Sequence, residues 1–86
     1  MHLTCKVNYK SSVVSDLRKM EKDMARRIVD SIEKDLADSP EKGQPLEGKF
    51  KGLFKYRIGS YRVIFARTGE DILILRIGHR KKVYDR

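Results

Sequence analysis

The chain has 86 residues, a length that predicts a single domain, 1–86, because chains divide into domains only well beyond ~200 residues. Hydrophobic residues make up 40% of the sequence, but no apolar run approaches the ~20 residues of a transmembrane helix, so no membrane association is expected. The single cysteine, Cys5, has no partner for an internal disulfide, which excludes a disulfide-stapled secreted protein and favours the cytoplasm. With two histidines besides this cysteine, neither a metal site nor another cofactor is expected.

The net charge of +8 is distributed unevenly along the chain. Residues 1–48 contain nine Lys or Arg and nine Asp or Glu, whereas residues 49–86 contain eleven basic residues and three acidic ones. This asymmetry indicates a face that binds a polyanion, either a nucleic acid or an acidic protein segment. The alternative is a basic surface that only keeps the protein in solution.

The first half of the chain predicts one strand followed by two helices. Residues 3–9 alternate between apolar and polar side chains, as in a half-buried strand. Ser11 or Ser12 is then expected to cap a short helix with apolar residues at steps of three and four. A second amphipathic helix is predicted over residues 24–36, where apolar residues recur every four positions, and Pro40 is expected to end it.

The second half predicts a loop and three strands. Residues 39–48 contain two prolines and two glycines, which is typical of a loop. Strand-like runs follow at 53–58, 61–67 and 72–77, with turn residues between them, and residues 78–86 are left as a tail. The order strand, helix, helix, strand, strand, strand predicts an α+β fold, with a mainly antiparallel sheet and two helices packed on one face.

Alternation divides each of these strands into two faces. In the first, Lys55 and Arg57 lie opposite Phe54, Tyr56 and Ile58. In the second, Arg62 faces away from Tyr61, Val63 and Phe65, which are expected in the core. In the third, Arg76 is predicted on the face of Ile72 and Ile74, and Ile77 on the face of Leu73 and Leu75. We therefore expect an open face of the sheet with a cluster of cations from the strands and from the tail: Lys55, Arg57, Arg62, Arg80, Lys81 and Lys82.

Cations clustered around a phosphate can bind it or assist its chemistry. Contacts to phosphates alone give salt-dependent binding without base specificity. Cations around a scissile phosphate also stabilise its transition state, by about 3 kcal/mol for each well-placed donor. RNA supplies its own nucleophile, the 2′-hydroxyl, once a base removes its proton. Neighbouring positive charges favour a neutral lysine, so Lys55 is the candidate base, whereas Arg57 and Arg62 suit charge stabilisation.

Two segments of the sequence resemble the RelE branch of the RelE/ParE toxin superfamily. They are Leu-Phe-Lys-Tyr-Arg-Ile-Gly-Ser-Tyr-Arg-Val-Ile-Phe at 53–65 and Ile-Gly-His-Arg-Lys-Lys-Val-Tyr at 77–84. The predicted order of strands and helices agrees along essentially the whole chain. The resemblance implies the toxin of a type II toxin–antitoxin system, a ribosome-dependent endoribonuclease that inhibits translation. It also implies metal-independent cleavage of messenger RNA by 2′-hydroxyl attack, with a cognate antitoxin and the ribosome, through its RNA, as partners.

The resemblance also implies roles for individual residues. Lys55 and Arg57 match the paired basic residues of the family, and Arg62 matches its phosphate-stabilising arginine. Arg80 and Tyr84 match the C-terminal catalytic pair, in which the arginine assists the leaving group and the tyrosine orients the nucleotide or stacks on a base. Arg57 stands where a lysine is often proposed as the general base, so the base role moves to Lys55.

Further residues of the basic half have a supporting role in this interpretation. His79 is an alternative acid or an orienting group, because an imidazole transfers protons more readily than a guanidinium. Lys51, Lys81 and Lys82 are expected to contact RNA. Three other functions remain open: a ParE-like toxin that inhibits gyrase, a nucleic-acid-binding module without catalysis, and an inactive toxin that only binds its antitoxin.

Overall fold

The structure is a computed structural model that describes residues 5–79. The helices and strands are β1 (Val7–Tyr9), α1 (Ser11–Arg18), α2 (Lys22–Ser31), a turn of π-helix (Ile32–Leu36), a 3₁₀ helix (Pro40–Lys42), β2 (Gln44–Pro45), a second 3₁₀ helix (Gly48–Phe50), β3 (Phe54–Ile58), β4 (Tyr61–Thr68) and β5 (Asp71–His79). Among these residues, no helix has the length and apolar character needed to cross a membrane.

The strands form one mixed sheet in the order β1-β5-β4-β3-β2. The pairs β2–β3, β3–β4 and β4–β5 are antiparallel, and β1 runs parallel to β5. This arrangement confirms the predicted α+β fold and the meander of three strands. The extents of three strands differ from the prediction. Cys5 and Lys6, predicted within the first strand, precede β1, which begins at Val7. The short strand β2 lies within the expected loop, since two residues are too few to show alternation, and β5 continues through Gly78 and His79.

Both helices pack on one face of the sheet, where the core lies. Ile28, Ile32 and Leu36 are fully buried, which confirms the four-residue step predicted for the second helix. The last turn widens into π-helix, where the Ala37 N–H donates to the Ile32 carbonyl at 2.8 Å. The other members of the core come from α1, β4 and β5: Val13, Val63, Phe65, Ile72, Ile74 and Ile77.

The structure confirms the shared face of Ile72 and Ile74, but the faces predicted for Arg76 and Ile77 are wrong because β5 contains a β-bulge. Phe65 of β4 pairs with Ile74, but the preceding residue of β4 pairs with Arg76, so that Leu75 is an extra residue in β5. One extra residue reverses the alternation of all residues that follow it. Ile77 is therefore buried in the core with Ile74, and Arg76 is exposed.

Helix α1 supplies hydrogen-bond partners to the backbone of the bulge. Ser12 Oγ donates to the Leu75 carbonyl at 2.9 Å, so Ser12 does not cap the helix as predicted. One turn later, Asp16 Oδ2 accepts the Ile77 N–H at 2.9 Å and Arg76 Nε at 3.1 Å. The side chain of Asp16 is 10% exposed. Because a bulge interrupts the sheet ladder, these side chains satisfy backbone groups that would otherwise lack partners.

Replacing Asp16 with alanine is expected to destabilise the fold by about 1–3 kcal/mol, the cost of a part-buried N–H left without an acceptor. Asp16→Asn keeps an acceptor oxygen and should lose less. Urea denaturation measures both changes, with Asp30→Ala as the control, because Asp30 is exposed on α2. Equal stability of the Asp16→Ala and Asp30→Ala variants would contradict a structural role for Asp16.

A hydrogen bond between side chains connects β1 to the π-helical turn that follows α2. The Tyr9 hydroxyl donates to Glu33 Oε2 at 2.8 Å. Burial, reinforced by the hydrogen bond and the charge of Glu33, raises the pKa of Tyr9 well above its ordinary value. The hydroxyl therefore stays protonated and remains a donor throughout the physiological pH range.

Candidate functional site

Three of the predicted site residues lie on the sheet face opposite the core. Arg57 of β3 pairs directly with Arg62 of β4, and Arg62 pairs in turn with Gly78 of β5. Lys55 pairs with Ile64. Residues that face each other in an antiparallel pair project to the same side of the sheet. Because their neighbours along both strands point into the core, these three cations share the open face.

The three cations line one pocket with a volume of about 310 Å³, called here the basic pocket. Its described lining residues are Lys42, Gln44, Lys55, Tyr56, Arg57 and Arg62. Four of these six residues are basic, and none of those that the structure describes is acidic. The pocket therefore presents a concentrated positive charge suited to a phosphate group.

Lys42 and Gln44 reach the basic pocket because β2 pairs along the outer edge of β3. Gly43 lies against the ring of Phe65, where an added Cβ would come within 2.7 Å of ring atom Cε1. Gln44 then pairs with Lys55 in the sheet. The sequence indicated a loop here but not its path, and the contribution of Lys42 was missed.

The direct pairing of Arg57 with Arg62 brings two positive charges to opposed positions of neighbouring strands. Like charges at directly opposed positions of two strands destabilise a sheet by up to about 1 kcal/mol. Arg57 is exposed and Arg62 is half-buried, with its Nε atom shielded from solvent. An anion between the two guanidinium groups would offset the repulsion. Guanidinium groups bind phosphate oxygens through paired hydrogen bonds, so this pair suits a phosphodiester.

The structure does not bring His79 together with these cations. His79 is the last residue of β5 and pairs with Tyr61, so both rings lie on the helix side of the sheet. The ring centroids are 5.8 Å apart, with the rings edge to face. His79 lines a second pocket rather than the basic pocket. A role as the acid at the cation cluster is therefore not supported by its position.

The other predicted site residues either do not line the basic pocket or lie outside residues 5–79. Lys51 is exposed in the turn after the second 3₁₀ helix and does not line the basic pocket. Arg80, Lys81, Lys82 and Tyr84 lie outside the described residues, and their roles stay predictions. Within residues 5–79, no three His, Cys, Asp or Glu side chains come close enough to hold a metal ion.

Comparison with known proteins relates the whole chain to one group of proteins. A family model described as the ParE toxin of the type II toxin–antitoxin system parDE matches residues 7–84. Toxin RelG of Mycobacterium tuberculosis (strain ATCC 25618 / H37Rv) is 30% identical over 83 residues, which are 93% of this chain and 95% of that protein.

Solved structures agree with these matches. The toxin–antitoxin complex RelBE2 from Mycobacterium tuberculosis contains a chain 26% identical to this one, with a TM-score of 0.86 and coverage of 93% of this chain and 95% of that one. The RelB–RelE antitoxin–toxin complex from Methanococcus jannaschii shares the fold, with a TM-score of 0.65, 22% identity and coverage of 91% and 95%.

Proposed function

The chain belongs to the ParE toxin family of type II toxin–antitoxin systems, within the RelE/ParE superfamily, and from this premise we propose that it is an endoribonuclease that cleaves messenger RNA on the ribosome. The observation that carries the proposal is the basic pocket, in which Arg57 and Arg62 face each other beside Lys55. A scissile phosphate gains negative charge in the transition state, and this charge would offset the repulsion between Arg57 and Arg62.

The proposed reaction uses the substrate's own nucleophile. Lys55 removes the proton of a 2′-hydroxyl, and the 2′-oxygen forms a bond to the adjacent phosphorus. The bond from phosphorus to the 5′-oxygen then breaks, and that oxygen takes a proton from an acid. The products are a 2′,3′-cyclic phosphate and a free 5′-hydroxyl. Arg57 and Arg62 stabilise the pentacoordinate transition state, and neither bond change requires a metal ion.

The remaining roles in the reaction follow the family resemblance. Arg80 assists the leaving 5′-oxygen, and Tyr84 orients the nucleotide. Lys51, Lys81 and Lys82 contact the RNA of the ribosome or of the message. The ribosome holds the message in a fixed, single-stranded conformation, which lowers the entropic cost of aligning the 2′-oxygen with the phosphorus. Ribosomes lie in the cytoplasm, a reducing compartment that suits a protein with the unpaired cysteine Cys5.

A second candidate function is inhibition of gyrase, as expected of a ParE-like toxin. The description of the matching family favours it, whereas the cations of the basic pocket favour RNA cleavage. The two functions predict different products, so one pair of assays separates them.

The test is primer extension on messenger RNA in translating ribosomes, with the wild-type protein and alanine variants at the five proposed catalytic positions: Lys55, Arg57, Arg62, Arg80 and Tyr84. Arg67→Ala is the matched control, because Arg67 is an exposed arginine of β4 outside the basic pocket. Cleavage with a 2′,3′-cyclic end, retained by the control, supports the proposal. Intact message together with inhibited DNA supercoiling would overturn it in favour of the gyrase function.

Similar chains occur in toxin–antitoxin complexes, which indicates that an antitoxin is a partner of this protein. Its docking site is proposed on a groove of about 440 Å³ between α1 and α2. The described residues of this helix groove are Val14, Leu17, Arg18, Met20, Lys22, Ala25 and Arg26. Val14 is 45% exposed, which is unusual for a large apolar side chain. An apolar floor with three cations at its rim is complementary to an amphipathic helix with acidic residues along its edges.

Replacing Val14 with glutamate is expected to weaken antitoxin binding at least about tenfold, a loss of about 1.4 kcal/mol, because a carboxylate would be desolvated among apolar side chains and would repel acidic residues. The dissociation constant is measured by calorimetry with the purified antitoxin. Ser15→Glu is the matched control, since Ser15 is the exposed neighbour on the same helix and does not line the groove. Equal affinities of the two variants would place the antitoxin elsewhere.

A further inference from the structure

The pocket that contains His79 has no role in the reaction proposed above, although it has the composition of a nucleotide site. It lies between the C-terminal end of α1 and the ends of β4 and β5, with a volume of about 290 Å³. Two aromatic rings, Tyr61 and His79, and two cations, Lys19 and Arg76, line it. This combination of rings and positive charges is typical of sites for single-stranded nucleic acid. We call it the histidine pocket.

The two rings are arranged so that a base can stack on them. Their interplanar angle is 74° and their centroids are 5.8 Å apart, so they meet edge to face instead of stacking on each other. His79 is exposed, and Tyr61 is half-buried and packs against the core. Tyr61 therefore holds the imidazole from one side while the pocket side stays accessible. Aromatic faces bind any of the four bases, because every base has a π surface.

The one acidic side chain among the described residues of this pocket does not oppose a phosphate strongly. Asp16 Oδ2 already accepts hydrogen bonds from the Ile77 N–H and from Arg76 Nε. Its charge is thereby compensated within the protein. The side chain of Arg76 is 56% exposed and uses Nε for this contact, so its terminal nitrogens can reach a ligand. Lys19, exposed at the end of α1, adds a second cation.

The register of the sheet relates the two pockets. Arg62 and Tyr61 are consecutive residues of β4 that point to opposite faces, toward the basic pocket and the histidine pocket respectively. Their partners on β5, Gly78 and His79, are also consecutive. Both pockets therefore lie at the same end of the sheet, on its two faces. A strand with a phosphate against Arg62 can pass around this end and place a neighbouring nucleotide against His79.

We propose that the histidine pocket binds a nucleotide that neighbours the cleavage position on the same single-stranded RNA, with its base stacked on His79 and its phosphate held by Lys19 and Arg76. The inference rests on the proposed ribonuclease function, because it assigns a second contact for the same substrate strand. The histidine pocket is a binding site for the strand and takes no part in bond cleavage.

The test measures binding without cleavage. A short RNA oligonucleotide with 2′-O-methyl groups lacks the nucleophile and is titrated against the full chain by fluorescence anisotropy. His79→Ala is expected to weaken binding about tenfold, within the range of stacking losses for single bases, and His79→Phe should restore it. Lys19→Ala should weaken binding and lower the slope of log affinity against log salt by about 0.7, as expected for one phosphate contact.

Arg67→Ala is again the control, as an exposed arginine outside both pockets. In NMR spectra of the wild type, the ring protons of His79 should shift upfield when the oligonucleotide binds, because a base stacks above the ring. Unchanged affinity of His79→Ala, or ring protons that do not move, would overturn the proposal. Loss of antitoxin binding instead of RNA binding in the Lys19→Ala variant would also overturn it, by assigning the pocket to the protein partner.

The failure of this inference is distinguishable from failure of the proposed function. If ribosomal cleavage is absent and the oligonucleotide still binds through His79, the reaction is wrong and the nucleotide site stands. If cleavage depends on Arg62 and binding is indifferent to His79, the reaction stands and the nucleotide site is wrong.

Discussion

Replacing Arg62 with alanine is expected to lower the rate of messenger RNA cleavage on ribosomes by about 10²–10³-fold, the loss typical of one donor to a developing negative charge. Arg62 is the central cation of the basic pocket, since it pairs directly with Arg57 and lies on the face of Lys55. Its half-buried position holds the guanidinium in place before substrate binds. Such preorganisation makes a charge more effective in the transition state than a mobile surface cation.

Three measurements separate this role from general attraction of RNA. Arg62→Lys keeps the charge and loses the paired hydrogen bonds, so it should recover only part of the rate. Arg67→Ala removes the same charge from an exposed position of the same strand and should cleave at nearly the wild-type rate. Circular dichroism shows whether each variant is folded. Equal rates for folded Arg62→Ala and Arg67→Ala would remove the basis of the proposed reaction.

Replacing Phe65 with alanine is expected to destabilise the protein by about 3–5 kcal/mol, the usual cost of deleting a buried aromatic ring. Phe65 is fully buried and stacks with Phe54 at a centroid distance of 5.5 Å. Its ring also lies directly beneath Gly43. Small domains have a total stability near the lower end of about 5–15 kcal/mol, so this variant should be largely or wholly unfolded at moderate urea concentrations.

Urea denaturation followed by circular dichroism measures this loss. Phe50→Ala is the matched control, because Phe50 is half-buried outside the core cluster and the substitution deletes the same atoms. Its loss should be clearly smaller. If both variants lose the same stability, the packing of Phe65 between Phe54 and Gly43 does not have the importance that its burial indicates.

The sequence predicted the strand cations of the site because apolar and basic side chains alternate along β3 and from Tyr61 to Val63 of β4. Once Phe54, Val63 and Phe65 are assigned to the core, Lys55 and Arg62 must point away from it. The same reasoning was wrong in β5, since nothing in the residue types around Leu75 signals an extra residue. The backbone of the bulge is hydrogen-bonded to side chains of α1, and such contacts between distant segments leave no local periodicity.

The positions of Lys42 and His79 also could not be predicted from the sequence, because they depend on contacts between distant segments. Lys42 reaches the basic pocket through the path of a loop, which Gly43 and Phe65 determine by close packing. Uninterrupted alternation along β5 would place His79 on the face of the strand cations. The bulge at Leu75 reverses the alternation, so His79 lies on the opposite face. The roles of Arg80 and Tyr84 in the reaction come from the family resemblance, because the residue types alone indicated only a tail cation and a titratable side chain.

The bulge in β5 also bears on which changes the protein can accept over evolutionary time. After Leu75, whether a residue of β5 points to the helix side of the sheet or to its open face depends on the count of residues from Ile74. Substitutions at exposed positions such as Arg76 leave that count unchanged. Insertion of one residue between Leu75 and Ile77, with the bulge retained, would turn Ile77 outward and remove it from the core. Deletion of one residue would remove the bulge and with it the contacts of its backbone with Ser12 and Asp16. Chains that share this function should therefore vary more in residue type than in length across this short segment.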